Sequence, residues 1–239
     1  MADRLSFRSF VGLALDEAVP DHSTLWRFRE ALGRAGLADQ VFGEVNRQLA
    51  AKGMIVKQGP RTDATLVAAQ SAPPASNASK PSRDPDAAWT KREGTSKAHF
   101  GYKAHLAVDQ GSLLVRGALL TPANVNDTEP ADALIQGDEV AVYADRAYDS
   151  HARSARLKAA GIKNRIMQRA NKHHALSPRQ RQRNRLIAKV RAAVETVFAV
   201  FKRSYGYRRS RYFGLARNQT QLALLCTAFN MRRALALTG

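Results

Sequence analysis

At 239 residues, of which 44% are apolar, the chain is long enough for one sizeable core with or without a small appendage. Its 38 Lys and Arg against 20 Asp and Glu give a net charge of +18, an excess that points to a polyanion, nucleic acid first and an anionic membrane surface second. The sequence lacks an apolar run of about 18 residues for spanning a bilayer, the N-terminal MADRLSFRSF lacks a signal-peptide core, and a lone cysteine, Cys226, excludes an internal disulfide and fits a reducing cytoplasm.

Residues 1–53 read as a helical region. Asp21 or Ser23 caps a helix that carries Leu25, Trp26, Phe28 and Leu32, in which Trp26 and Phe28 read as core in preference to base-stacking groups, and a second helix from about Leu37 to Ala51 stops at Gly53. From Met54 the pattern turns to strands and opens a second domain, 54–239. MIVKQGPRTDATLVA is extended, with a Gly-Pro turn, and carries Asp63. SAPPASNASKPSRDPDA has little to bury and reads as a flexible surface loop. HFGYKAHLAVDQGSLLVRGALLTP alternates on both sides of Asp109-Gln110-Gly111, the pattern of a β-hairpin.

A loop at Asn124–Asp127 and a short helix TEPADALI lead to EVAVYAD, nearly all apolar until Asp145, as in a strand buried on both faces. A basic helix HARSARLKAAG, a short strand KNRIMQR and a basic segment then feed one long helix, Arg185 to Lys202. On it Leu186, Val190, Val194, Val197 and Phe201 form an apolar stripe, and Arg191, Glu195 and Lys202 line the face beside it. A basic aromatic loop, KRSYGYRRSRYFGLARN, and a closing helix that buries Cys226 complete the chain. Strand, hairpin, helix, strand, helix, strand and long helix make an α/β arrangement with mixed strand directions.

Position singles out three carboxylates: Asp63 in the first strand region, Asp145 at the end of the central strand, and Glu195 on the long helix. Each has an ordinary alternative: a turn cap for Asp63, a helix cap for Asp145, and an i,i+4 pair with Arg191 for Glu195. If they converge, they repel one another unless cations intervene. Hard oxygen ligands favour Mg²⁺ or Mn²⁺, and two such ions serve phosphodiester chemistry. The paired His173 and His174 point apart on any regular element, which argues against zinc.

RTDATLVAA, RDPDAAWTKREGTSKAHFGYKAHLAVD, LLTPANVND, VYADRAYDS and RAAVETVFAVFKRSYGYRRSRYFGL resemble, in order, successive blocks of the DDE transposases of bacterial insertion sequences. The nearest group is the one named for insertion sequence five, inside the insertion-sequence-four superfamily. The resemblance implies a ribonuclease H-like mixed sheet flanked by helices, with Asp63, Asp145 and Glu195 as catalytic, metal-holding residues and Arg191 and Lys202 in support. It implies two Mg²⁺ or Mn²⁺ ions, DNA as partner at the element's ends and at the target, a homodimer or higher synaptic oligomer, a bacterial cytoplasmic location, and no membrane.

Two departures stand out. Ala188 occupies the tyrosine position of the family's Y-R-E signature, and Asn126 stands where many relatives carry His, so no catalytic role is assigned there. The chain also begins where relatives have several dozen further residues, so a truncated end-recognition region is expected. Lys91 and Lys103 are expected at DNA, as is Trp89, for which core packing weighs equally. In the tail Arg203, Arg208, Arg209 and Arg211, interleaved with Tyr205, Tyr207 and Tyr212, suit phosphate contact and base stacking. The rival functions are an inactive DNA-binding remnant or inhibitor of the full-length enzyme, and a nuclease without strand transfer.

Overall fold

The computed structural model describes residues 5–71, 82–91, 96–170 and 175–239. His173, His174 and most of the Pro- and Ser-rich stretch after Ser71 lie outside them. Two compact units meet between Leu37 and Ala38. In the smaller unit, helix α1 (Leu5–Phe10) precedes α2 (His22–Arg34). The Arg8 guanidinium ties the turn between them by donating to the carbonyls of Leu15 at 3.0 Å and Glu17 at 2.6 Å. Asp21 caps α2, accepting from the Thr24 N–H at 2.6 Å. The apolar pattern of α2 reads as core, yet Trp26 and Phe28 are 47% and 63% exposed. A unit this short has too little chain to enclose an apolar helix face.

The larger unit holds nearly all of α3 (Leu37–Ala51) and a six-stranded mixed sheet. Strand β1 (Arg61–Ala68) follows Gly59, which no residue with a Cβ can replace, because that atom would lie 2.8 Å from the Ala141 carbonyl oxygen. The edge strand β2 (Ala88–Lys91) was not legible in the sequence; β3 (Ala98–Val108) and β4 (Val115–Pro122) form the hairpin that was. Its turn is fixed by Asp109, which accepts from Lys57 N at 3.0 Å and Ser112 Oγ at 2.7 Å. β3 pairs antiparallel with β1 on one side and with β4 and β2 on the other. β1 then pairs in parallel with β5 (Ala141–Ala144), and β5 in parallel with β6 (Lys163–Ile166).

The register sets Asp63, Thr65 and Val67 on the sheet face shared with Leu106, Ala104 and Tyr102. That face is buried beneath apolar residues of α6 (Ala193–Ser204) and α7 (Leu215–Thr238). Val142 and Ala144 belong to the opposite face and pack on Tyr148 and Leu157, the latter from α4 (His151–Ala159). The long helix expected over 185–202 is two helices. A capping box of Ser177 and Gln180, with Pro178 at the first position, starts α5 (Pro178–Arg191). At Ala192 the i→i−4 pattern gives way to an i→i−3 bond from Glu195 N to the Ala192 carbonyl, and α6 sets off anew.

At its N-terminus α7 is met by two carboxylates, Asp84 accepting from Gly214 N at 3.0 Å and Asp86 from Leu215 N at 2.7 Å. Tyr102 donates to Asp84 at 2.5 Å, so the cap is locked to β3. Nearby, Ser71 Oγ and Ser82 Oγ approach to 3.4 Å. Among the described residues no helix is long and apolar enough to cross a membrane.

Candidate active site

Asp63 projects from the middle of β1, Asp145 follows the last residue of β5 as cap of the short 3₁₀ turn Arg146–Tyr148, and Glu195 stands on the first turn of α6. Three separate elements therefore bring carboxylates within electrostatic reach of Asp63. Their charges interact: burial pushes the Asp63 carboxyl above its ordinary range, the Arg191 guanidinium and the Ala64 N–H pull it down, and Asp145 and Glu195 push it up again. Asp63 is mostly buried, Asp145 half-buried and Glu195 exposed, so one acid is fixed by packing and another is free to turn.

The two cations of the helix pair serve β1. Arg191 ends α5 and forms an ion pair with Asp63, the two side chains being 17% and 20% exposed. Lys202, two turns along α6, donates to Thr65 Oγ1 at 2.6 Å. Asp63 and Thr65 are i and i+2 on one strand face, so the break at Ala192 lets both helices address that face. Among the described residues no ion pair joins Arg191 to Glu195, so the ordinary i,i+4 pairing is not what is formed. As the side chains stand, no three described His, Cys, Asp or Glu gather closely enough to hold a metal ion.

Beside the carboxylates lies a groove of about 360 Å³ lined by Asp145 and Asp127 together with Lys91, Lys103, Arg146 and Arg169. A family model described as a transposase DDE domain matches residues 62–231, and one described as a transposase domain (DUF772) matches residues 1–31. The chain belongs to the DDE transposase family. No solved structure matches it significantly. The first of these models begins one residue before Asp63 and takes in Asp145 and Glu195.

Within this transposase domain the basic residues expected at DNA have different settings. Lys91 is exposed at the groove, but Lys103 is 17% exposed and binds Asp127 at 2.8 Å and the Val125 carbonyl at 2.9 Å. Trp89 is 47% exposed and tilts against Phe100, ring centroids 5.4 Å apart. Arg203, Arg208, Arg209 and Arg211 are exposed, and Arg208 with Lys202 edges a second cavity of about 310 Å³ at the far end of β1. Leu66 lines both cavities, so they adjoin along that strand. Tyr207 is not a stacking platform: it is 1% exposed, inside the core against Phe201. The backbone around it explains why, since Ala68 and Arg208–Ser210 exchange hydrogen bonds that fold the loop back onto the end of β1.

Asp127, His105 and Tyr148 were not singled out by the sequence. Asp127 faces the groove from the loop before the short 3₁₀ turn Pro130–Leu134. His105 is wholly buried on β3, its pKa pushed down to about 4 by burial, with Nε2 bonded to Thr121 Oγ1 at 2.9 Å. Tyr148 is 2% exposed, its hydroxyl lacks a hydrogen-bond partner, and burial followed by the charges of Asp127 and Asp63 raises its pKa. Spacing alone could have flagged only Tyr148, three residues past Asp145.

Proposed function

We propose that this protein is an insertion-sequence transposase that cleaves the ends of its element and joins the freed 3′-hydroxyl to target DNA, with Asp63, Asp145 and Glu195 as its catalytic acids. The observation that carries the reading is the mutual influence of these acids from three separate elements, beside a groove edged by Lys91, Arg146 and Arg169. The strand order β4-β3-β1-β5-β6, antiparallel then parallel, supports a ribonuclease H-like fold.

The donor set fits a hard divalent cation, Mg²⁺ or Mn²⁺, as one ion or two. Its ligands are carboxylate oxygens, and after burial it is the charges of Asp145 and Glu195 that push the Asp63 carboxyl up, charge that a cation would relieve. Such an ion supplies an activated water and stabilises the leaving oxygen. The chain's own groups do the rest. Asp63 is held at the edge of the core, and Glu195 turns toward it from α6. Arg191, once released from Asp63, and Lys202 balance the carboxylates or grip phosphates. Lys91 and the arginines at 203, 208, 209 and 211 carry the strand away, and residues 1–53 contribute to recognition of the ends. Synapsis of two ends calls for at least a dimer working on cytoplasmic DNA.

A second reading, a DNA-binding form without chemistry, is favoured by the hold of Arg191 on Asp63. Nicking of supercoiled plasmid with Mg²⁺ or Mn²⁺, comparing this chain with Asp145→Asn, separates the two. Metal-dependent nicking lost in the variant supports the transposase reading, and joining of a pre-cut 3′ end distinguishes it from a simple nuclease. DNA binding without nicking in the unaltered chain overturns it.

A further inference from the structure

The basic helix α4 carries one arginine that is not at the surface. Arg153 is 3% exposed, whereas the Arg156 side chain, one turn on, is 62% exposed. A guanidinium is removed from water only where its N–H groups find acceptors. Here they find three. Nε donates to Asp132 Oδ1 at 2.7 Å, one terminal nitrogen donates to the Tyr148 carbonyl, and the other to the Thr128 carbonyl at 2.7 Å. Thr128 Oγ1 in turn donates to the Ala147 carbonyl at 2.5 Å.

These bonds join two segments remote in sequence. One is the 3₁₀ turn Arg146–Tyr148, capped by Asp145. The other is the loop carrying Asp127, itself fastened to β3 through Lys103. Both segments line the groove beside the candidate acids. Without Arg153 the turn after β5 would be held to that loop by the Thr128 hydroxyl.

We propose that Arg153 is a positioning residue: through the carbonyls of Tyr148 and Thr128 it fixes the backbone from which Asp145 projects. The inference rests on the catalytic reading above for its effect on chemistry, and on the fold alone for its effect on the turn. The planar fork is essential, because a lysine keeps the charge and one bond but cannot span two carbonyls and a carboxylate.

The test compares wild type, Arg153→Lys and Arg156→Gln as full chains. Three quantities are read: Mn²⁺ affinity by electron paramagnetic resonance, DNA affinity, and amide hydrogen exchange at Ala147 to Asp149. Arg153→Lys is expected to weaken Mn²⁺ binding and slow nicking by roughly 10–100-fold, the range seen when groups supporting metal ligands are altered. DNA affinity should stay unchanged and exchange in the turn should speed up at least tenfold. Arg156→Gln, which loses a surface pairing with the same Asp132, should match wild type in all three. Unchanged Mn²⁺ affinity and unchanged exchange in Arg153→Lys overturn the proposal. A wild type that binds no Mn²⁺ and makes no nicks refutes the catalytic reading instead, and exchange at the turn then decides the positioning role by itself. Should Arg153→Lys unfold, Asp132→Ala, which removes the Nε acceptor together with the Arg156 pairing that Arg156→Gln controls for, is expected to give the same pattern at smaller amplitude; wild-type behaviour there overturns it.

Discussion

Replacing Arg191 with Ala leaves Asp63 in a setting built for a pair. Both side chains are about four-fifths buried, and Asp145 and Glu195 press on the same carboxylate. Deleting one partner of a fully buried pair costs about 3–5 kcal/mol, while an exposed pair contributes under about 1 kcal/mol. The residual exposure places the expected loss at roughly 2–3 kcal/mol near pH 8, or about 5–10 °C in Tm for a unit of this size. The pH dependence has a definite sign. Asp63's folded pKa already lies above its unfolded value, and Arg191 is what pulls it down, so the variant raises it further. A carboxyl that binds its proton more tightly when folded destabilises the fold above its folded pKa, and that penalty is relieved as pH falls toward the unfolded value. Urea denaturation at pH 8, 6 and 5 should therefore show the defect of Arg191→Ala shrinking with acidification. Adding Asp63→Asn should recover at least about 1 kcal/mol as coupling. A defect below about 0.5 kcal/mol at pH 8, one constant across pH, or strict additivity of the two substitutions refutes the reasoning.

Three further outcomes are expected. His105 is buried with a folded pKa of about 4 against 6.5 unfolded, so its contribution is complete above pH 6.5 and drains away as pH falls toward 4, by up to about 3 kcal/mol. Chemical denaturation of His105→Gln should lack that acid limb, whatever its stability at pH 7. Gly101→Ala puts a Cβ 2.2 Å from the Val67 carbonyl oxygen and 2.6 Å from Ala69 N, so soluble yield should collapse or Tm fall by many degrees; near-wild-type calorimetry would contradict the packing described. Asp84→Ala removes the buried acceptor of both Tyr102 and Gly214 and should cost about 2–3 kcal/mol, whereas Asp86→Ala removes an exposed cap and should cost about 1 kcal/mol. Equal losses in thermal melts would remove the distinction between them.

Much of the larger unit was legible because its strands announce themselves. The hairpin about Asp109, the apolar β5 ending at Asp145 and the helix stopping at Gly161 all have local signals that tertiary packing did not override. The break at Ala192 was not legible, since neither Pro nor Gly marks it and the apolar stripe runs on through it. Trp26 and Phe28 show the limit of periodicity, which reports a face that wants covering and says nothing about whether cover exists. Tyr207 fails the other way: the surrounding arginines suggest a wet surface, but its own backbone pairs with the sheet. Asp127 and Arg153 were invisible for a different reason. Their side-chain partners, a lysine and an aspartate, are more than 20 residues away, the others are backbone carbonyls, and carbonyl acceptors leave no trace in a sequence.

The contact of Ser71 with Ser82 has a practical side. The chain leaves the sheet and returns to it at nearly one point, with Ala69 bonded to the Phe100 carbonyl on one flank and Asp84 locked under Tyr102 on the other. Each flank carries its own hydrogen bonds to the sheet. Lengthening a connection whose ends are already clamped costs only about 0.6 kcal/mol per doubling. A peptide tag or fluorophore site inserted there should ride on the protein without disturbing the acids, giving a handle for testing whether it binds and assembles on DNA.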